Sequence, residues 1–195
     1  MSTTNASQPT RESPAAPAAD ASGPGLAPTP HTNGAAYRAA RGPLFDLSSI
    51  DLGATRYDRA QIQRWNPHRD SMALLDAVVW YSPDYTRGLA RWDVRRDEFW
   101  TSGHFPGRPM LPGVLMVEAG AQLSVFLYNA RQTVPKLAAF THIDQCSFRG
   151  QVLPGDRLLL LAREVRFAPR RFISDIQGMV RDRIVFEAQV TGIAL

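Results

Sequence analysis

A histidine and a glutamate lie 14 residues apart in a segment that otherwise consists of turn-forming and apolar residues. His104 follows the start of a turn-rich stretch, GHFPG, and Glu118 lies in the apolar stretch that comes after it. An imidazole titrates near neutral pH and suits a general base. Burial raises the pKa of a carboxyl group, so we expect Glu118 to stay protonated near neutrality and to act as an acid.

The apolar stretch also predicts a site for a developing oxyanion. Residues 113–128, GVLMVEAGAQLSVFLY, are too long for a strand and predict a helix that begins just after Pro112. The first N–H groups of a helix have no intrahelical partner and lie at the positive end of its dipole. The backbone N–H of Gly113 can therefore hold a carbonyl oxygen that gains negative charge.

Residue types alone leave other roles open. A histidine in a loop can be structural, and a glutamate in a buried helix can be a polar anchor or bind a partner subunit. Gln122 shares the helix face of Glu118; it either orients the carboxylate or forms a hydrogen bond within a dimer, and we favour the second. For His68 we favour a structural role, and His142 has no partner that the sequence identifies.

The remaining pattern predicts an α+β domain. The helix is apolar on every side, so it should be enclosed. Strands joined by tight turns run antiparallel, and a long central helix wrapped by a curved antiparallel sheet would enclose it. One or two helical turns are predicted over Tyr57–Trp65, and strands are predicted over Met72–Tyr81, Arg87–Arg95, Leu137–Phe148, Arg157–Phe167, Phe172–Val180 and Arg183–Ile193.

Composition divides the chain at about residue 43. Residues 1–43 contain seven of the fifteen prolines and no Ile, Val, Phe or Trp, which predicts a disordered arm. The arm is too poor in arginine for an organelle presequence and has no apolar run for a signal peptide. Residues 44–195 can form one core. Cys146 is the single cysteine and no metal-binding cysteine spacing exists, which fits a reducing cytoplasm, where we expect the protein.

Charge and hydropathy suggest two further classes, which we disfavour. The net charge is +4 and arginines predominate, but there is no basic run and no basic motif interleaved with aromatic residues, so we expect no nucleic-acid partner. Residues 110–128 are almost long enough to span a membrane. Glu118, Gln122 and a proline interrupt them, and a carboxylate at mid-membrane costs roughly 2.5–3.5 kcal/mol.

The segment from His104 to Gln122, HFPGRPMLPGVLMVEAGAQ, resembles the signature of the FabZ-type 3-hydroxyacyl-[acyl-carrier-protein] dehydratases, H-F-P-G-x-P-x-x-P-G-V-L-x-x-E-A-x-A-Q, at every fixed position. Asn66-Pro67-His68-Arg69, followed by ALLD, resembles the P-H-R…L-L-V-D segment of that family. Ile143–Leu160 resembles its I-D-x-A-R-F-x-x-x-V-x-P-G-D stretch. The resemblance covers residues 57–193.

The resemblance implies a hot-dog fold and a site shared between the subunits of a homodimer, which can assemble further into a hexamer. It implies removal of water from a (3R)-3-hydroxyacyl thioester to give the trans-2-enoyl thioester. His104 would take the C2 proton, Glu118 would protonate the departing hydroxyl, and the N–H of Gly113 would hold the thioester carbonyl. No metal or redox cofactor is implied.

The same resemblance implies an apolar channel for the acyl chain and a surface for the acyl carrier protein, which delivers its substrate on a phosphopantetheine arm. Candidates for the channel are Phe105, Met110, Leu111, Val114, Leu115 and Val117. Candidates for contact with the acidic carrier protein are arginines near turns, since opposite charge steers association: Arg108, Arg149, Arg166, Arg170 and Arg171.

The sequence departs from the family pattern at two places, of which the first bears on the preferred chain length and the second is a local change at a turn. Asp70-Ser71-Met72 replaces an x-P-F segment near the substrate tunnel, and Arg181-Asp182-Arg183 replaces a common Asp-Gly hairpin. Glu118, rather than aspartate, favours the plain dehydratase over its dehydratase/isomerase relative. Alternative functions are a hydratase or thioesterase for coenzyme A thioesters, or a non-catalytic acyl-binding subunit.

Overall fold

The computed structural model describes residues 42–195. The predicted arm therefore lies outside the described residues, except for Gly42 and Pro43. The elements in chain order are β1 (Tyr57–Asp58), α1 (Arg59–Ile62), a single 3₁₀ turn (Asp70–Met72), β2 (Ala77–Tyr81), β3 (Arg87–Asp93), α2 (Gly113–Asn129), β4 (Ala138–Phe148), β5 (Arg157–Ala168), β6 (Arg171–Val180) and β7 (Arg183–Ala194).

The seven strands form one antiparallel sheet in the order β1-β2-β3-β5-β6-β7-β4. This sheet and the long helix confirm the predicted hot-dog architecture. Although β4 and β5 are consecutive in the chain, β4 pairs with β7 and not with β5. The turn before β5 instead pairs with the end of β3, since Val94 N–H donates to Asp156 O and Gly155 N–H donates to Val94 O.

The predicted strand Met72–Tyr81 begins only at Ala77. Met72 lies in the 3₁₀ turn, and Leu74 and Leu75 follow it as buried residues without strand pairing. The N–H of Leu74 donates to the side-chain oxygen of Gln122 on α2 (3.1 Å). This piece of chain therefore joins the central helix, which explains why an apolar run does not extend the strand.

Helix α2 is enclosed, as its composition predicts. Every residue from Met116 to Asn129 is buried except Glu118. The helix packs on β3, β5, β6 and β7. At Gly120 a Cβ atom would lie 2.8 Å from Ile176 Cδ1 of β6, so the glycine permits a close approach of helix and sheet.

The two faces and edges of the sheet are covered unequally. Apolar side chains of residues 44–54, among them Leu44 and Phe45, pack on β2, β3, β5 and β6 on the face of the sheet away from α2. Strand β4 is an edge of the sheet and is largely exposed, with Ile143 53% and Phe148 50% accessible. Among residues 42–195, no helix has the length and apolar character needed to cross a bilayer.

Candidate active site

Glu118 is a polar exception on a buried helix. It lies in the second turn of α2, with its side chain 21% exposed. The Nε2 amide of Gln122 donates to its Oε1 (2.9 Å), and the Nε2 atom of His68 lies 3.2 Å from the same oxygen. Gln122 therefore orients the carboxylate of its own chain. From the sequence we favoured the other alternative, a hydrogen bond within a dimer.

The pKa of Glu118 differs from the sequence-based expectation. Burial raises the pKa of this carboxyl, but the hydrogen bonds from His68 and Gln122 favour the ionised form, and the net shift is below the ordinary value. In the single chain Glu118 is therefore a carboxylate at neutral pH. The expectation of a raised pKa was wrong because the sequence does not show the two donors.

His104 is held in a form that suits a base. Its Nδ1 lies 2.7 Å from the carbonyl oxygen of Met110, and its ring stacks on Phe105 with centroids 4.1 Å apart. A carbonyl oxygen can only accept, so Nδ1 carries a hydrogen, and in the neutral ring Nε2 is then the nitrogen that can accept a proton. The backbone holds the loop as well, because His104 N–H donates to Trp100 O and Met110 N–H donates to His104 O.

A single chain does not bring His104 and Glu118 together. A cavity of about 40 Å³ adjoins Glu118, and its lining includes His68 and Gln122 but not His104. Its other walls come from α2, β4 and β6: Ala121, Val125, Ala138, Ala139, Phe140 and Phe172. This volume accommodates only a few water molecules, so the cavity of the single chain is too small for an acyl group.

The N-terminus of α2 has the predicted form. Pro112 precedes the helix and makes no side-chain capping hydrogen bond, so the first N–H groups are available to a ligand. The ring of Phe148 covers this end, since a Cβ atom on residue 113 would lie 2.8 Å from Phe148 Cε1. Gly113 therefore permits the contact between the helix end and β4.

The structure places the six candidate channel residues in different environments. Val114 and Phe105 are 72% and 50% exposed, Leu111 and Val117 are buried in the main core, and Met110 and Leu115 are half-buried. None of the six lines the cavity beside Glu118. Their role in binding an acyl chain stays a prediction.

The five candidate arginines are all exposed: Arg108, Arg149, Arg166, Arg170 and Arg171. Arg149 forms an ion pair with the buried carboxylate of Glu187. It also lines an open groove of about 390 Å³ together with Arg181 and Arg183. Exposure leaves these residues accessible to an acidic protein, and their contact with a carrier protein stays a prediction.

Comparisons with known proteins identify the family. Residues 66–189 match the FabA-like domain. This chain belongs to the family of FabA-like domains. The dehydratase FabZ of Alkaliphilus metalliredigens, named a 3-hydroxyacyl-[acyl-carrier-protein] dehydratase, is 43% identical over 120 residues, which are 60% of this chain and 79% of the relative. FabZ of Staphylococcus carnosus is 43% identical over 107 residues, 54% of this chain and 73% of the relative.

Solved structures of other proteins have a similar architecture. The dehydratase heterocomplex ApeI:P of Xenorhabdus doucetiae aligns with a TM-score of 0.61 at 16% identity, over 69% of this chain and 90% of its own. The uncharacterized protein PH1136 of Pyrococcus horikoshii aligns with a TM-score of 0.53 at 14% identity, over 68% and 92%. At these identities the likeness shows the fold alone.

The sequence missed His68 as a partner of Glu118. The motif Asn66-Pro67-His68-Arg69 was recognised, but its contact with the helix depends on a separation of 50 residues that no local pattern reveals. Within residues 42–195, no cluster of three or more His, Cys, Asp or Glu side chains has the arrangement of a metal site.

Proposed function

We propose that this chain is a hydro-lyase that converts (3R)-3-hydroxyacyl-[acyl-carrier-protein] to trans-2-enoyl-[acyl-carrier-protein] in fatty acid biosynthesis. The proposal depends on one observation: a single family motif supplies both an imidazole and a carboxyl group that are held in place by hydrogen bonds. Nδ1 of His104 is bound to Met110 O, which leaves Nε2 as the basic nitrogen of the neutral ring, and Glu118 presents a carboxyl group oriented by two donors. Identity of 43% to two FabZ dehydratases supports the same reaction.

Elimination then follows from the two side chains and one backbone group. His104 Nε2 takes the C2 proton, and the electrons of that C–H bond form the C2–C3 double bond as the C3–O bond breaks. The N–H of Gly113 donates to the thioester oxygen while it carries enolate charge. Glu118 gives its proton to the leaving hydroxyl, which departs as water. Proton return from His104 to Glu118 through water restores the starting state.

Glu118 must be protonated to act as this acid, although it is ionised in the single chain. Desolvation already acts on its pKa more strongly than any other single influence. A bound acyl chain that covers the remaining exposed fifth of the side chain would desolvate it further and raise its pKa. The closed site would therefore hold the acid in its protonated form.

The site is completed, in this proposal, by a second copy of the chain. Ala138, Ala139 and Phe140 of the exposed edge strand β4 form one wall of the cavity beside Glu118. A subunit that pairs with this edge would cover the cavity and satisfy the unpaired strand. His104 of one subunit would then act with Glu118 of the other, and such dimers would be the units of a hexamer.

The carrier protein would approach over exposed arginines, among them Arg108, Arg149, Arg166, Arg170 and Arg171, since it is acidic and charge complementarity speeds association. The substrate arrives on its phosphopantetheine arm, and the reaction as written needs no metal and no redox cofactor. We place the reaction in the cytoplasm, which fits one exposed, unpaired cysteine, Cys146.

Turnover of defined thioesters tests the proposal. The full chain is incubated with 3-hydroxybutyryl and longer 3-hydroxyacyl groups, carried either by acyl carrier protein or by coenzyme A, and enoyl formation is followed. We expect faster turnover of the carrier-protein thioesters. Preferred turnover of coenzyme A thioesters, or thioester hydrolysis without enoyl formation, would favour a hydratase or a thioesterase instead.

Two variants test the assigned residues. His104→Ala and Glu118→Gln should each lower kcat by about 10²- to 10⁴-fold, the range of general acid–base catalysis, while the circular dichroism spectrum and the oligomer mass stay unchanged. Full activity in either folded variant would contradict the assignment.

A further inference from the structure

The Glu118 carboxylate is held by one of its two oxygens. Gln122 Nε2 donates to Oε1 at 2.9 Å, and His68 Nε2 lies 3.2 Å from the same atom. Among residues 42–195, neither of these donors bonds to Oε2. The two donors therefore fix the plane and rotation of the carboxylate and leave Oε2 as the oxygen that a substrate hydroxyl can reach.

Gln122 is a rigid support because all of its polar groups are used. Its amide also donates to Met72 O (2.8 Å), its side-chain oxygen accepts from Leu74 N–H, and its backbone oxygen accepts from Asn66 Nδ2 (2.8 Å). Gln122 is buried. Its orientation is therefore set by three points of the segment 66–74 as well as by Glu118.

His68 belongs to the same segment and is fixed by its neighbours. The guanidinium of Arg69 donates to the carbonyl oxygens of Asn66, His68 and Gln63 (2.8–3.0 Å). These bonds close the chain around His68 and direct its ring at α2. The ring thus reaches Glu118 from a loop that is braced on both sides.

The hydrogen-bonding pattern assigns the tautomer of His68. Nε2 faces a carboxylate oxygen, which accepts, so Nε2 carries a hydrogen. Nδ1 is buried and has no hydrogen-bond partner among the described residues. The hydrogen bond of the ring is therefore made by Nε2–H, which donates to Oε1 of Glu118.

Few other charges face His68. Across the small cavity on its second side lie Arg59 and Gln63 of the α1 region, and Arg59 is paired with Asp76. Arg69 bonds to the carbonyl oxygen of His68, and Glu118 is the facing charge on α2. The lining residues from β4 and β6 are apolar. The interaction with Glu118 is therefore the polar contact that the side chain of His68 is placed to make.

We propose that His68 is a positioning residue of the dehydration site: its Nε2–H holds Oε1 of Glu118 so that Oε2 exchanges the proton with the 3-hydroxyl group of the substrate. The inference rests on the proposed dehydratase function. His68 touches the catalytic carboxylate and not the reacting atoms, so it acts through Glu118.

Three substitutions at one position separate this role from a general structural one. His68→Gln keeps an amide N–H close to the place of Nε2, His68→Phe keeps the ring volume without a donor, and His68→Asn keeps polarity but ends near the place of Nδ1. Each is compared with the wild type by kcat, KM, the pH profile of kcat/KM and thermal melting.

We expect His68→Phe and His68→Asn to lower kcat by about 10- to 100-fold, as for a misplaced catalytic group, with KM changed by less than about threefold. One limb of the kcat/KM profile should move to higher pH in both variants, since loss of a donor to a carboxylate raises its pKa. In His68→Gln, kcat should lie within about threefold of the wild-type value, and the limb of the kcat/KM profile should lie at its wild-type pH. If His68→Phe does not fold, His68→Asn carries the comparison.

The possible failures are distinguishable. An inactive wild type would refute the proposed function itself. An active wild type with full kcat in folded His68→Phe and His68→Asn would overturn only the positioning role. Equal losses in all three variants, or losses without a shift of either pH limb, would also overturn it, because they would show a role other than hydrogen-bond donation to Glu118.

Discussion

At the residue scale, the charge of Glu118 is decided by a competition between burial and hydrogen bonding. Burial alone would keep the group protonated, while the donors His68 and Gln122 reverse the net direction of the pKa shift. Because two hydrogen bonds reverse the direction of the shift, the pKa of Glu118 is sensitive to any change in either donor or in the exposed fraction of the side chain. A binding event that adds desolvation can therefore switch the protonation state.

This competition predicts how stability depends on pH. A carboxyl whose pKa is lower in the folded than in the unfolded protein contributes stability above the unfolded pKa of about 4.3. That contribution is lost as pH falls through the folded pKa. The free energy of unfolding of the wild type, measured with urea, should therefore decrease relative to that of Glu118→Gln as the pH falls from 6 to 3.

Because all other carboxyl groups titrate in both proteins, the difference isolates residue 118. A difference that is constant with pH would show that the pKa is the same in the folded and unfolded states. A shift in favour of the wild type in acid would show a raised folded pKa and would contradict the role of the two donors.

At the element scale, the contact of α2 with β6 depends on a residue that is unfavourable for helices. Alanine is usually more stable than glycine inside a helix by about 1 kcal/mol. At Gly120, however, an added Cβ atom would lie 2.8 Å from Ile176 Cδ1 and 3.1 Å from Ile176 Cβ. Both residues are buried, so the extra carbon has to be accommodated by moving the helix or the strand.

We therefore expect Gly120→Ala to destabilise the protein by about 1–3 kcal/mol, as overpacking does. Ile176→Val removes the nearest atom, Cδ1, and alone should cost about 0.5–1.5 kcal/mol. The double variant should be more stable than the sum of the two changes predicts, as measured by chemical unfolding of all four proteins. Strict additivity, or a stabilising Gly120→Ala, would contradict the close contact.

Elements were predictable where the local pattern decides them, and less so where distant partners do. The helix from Gly113 and the four C-terminal strands follow from apolar runs and turns, and the structure confirms them within a few residues. The pairing of β4 did not follow, because β3 and β6 occupy both sides of β5. Likewise, the apolar pattern of Met72–Leu75 predicts a strand, but this segment forms hydrogen bonds with Gln122 on the helix.

The same distinction holds for the candidate site. His104, Glu118 and the helix end at Gly113 were identifiable because they lie in one continuous motif. His68 was not identified as a partner of Glu118, because a 3.2 Å contact across 50 residues has no local signal. The channel residues were the least predictable, since the core of one chain buries Leu111 and Val117 while Val114 faces outward.

At the scale of the whole molecule, the account depends on a second subunit. In one chain His104 does not line the cavity of about 40 Å³ beside Glu118, and an exposed edge strand, β4, forms a wall of that cavity. Each of these features is incomplete alone. A dimer closed along β4 would supply the missing wall, enlarge the site and bring the two proposed catalytic groups, His104 and Glu118, together.

Mixing two inactive variants tests this central claim most directly. His104→Ala and Glu118→Gln are each purified, combined in equal amounts, allowed to exchange subunits, and assayed with 3-hydroxyacyl carrier-protein thioester while native mass spectrometry measures the heterodimer fraction. Random exchange makes half of the dimers mixed, and one of the two sites in each mixed dimer is intact, so about a quarter of wild-type activity should return. No recovery despite complete exchange would show that both residues act within one chain and would contradict the shared site.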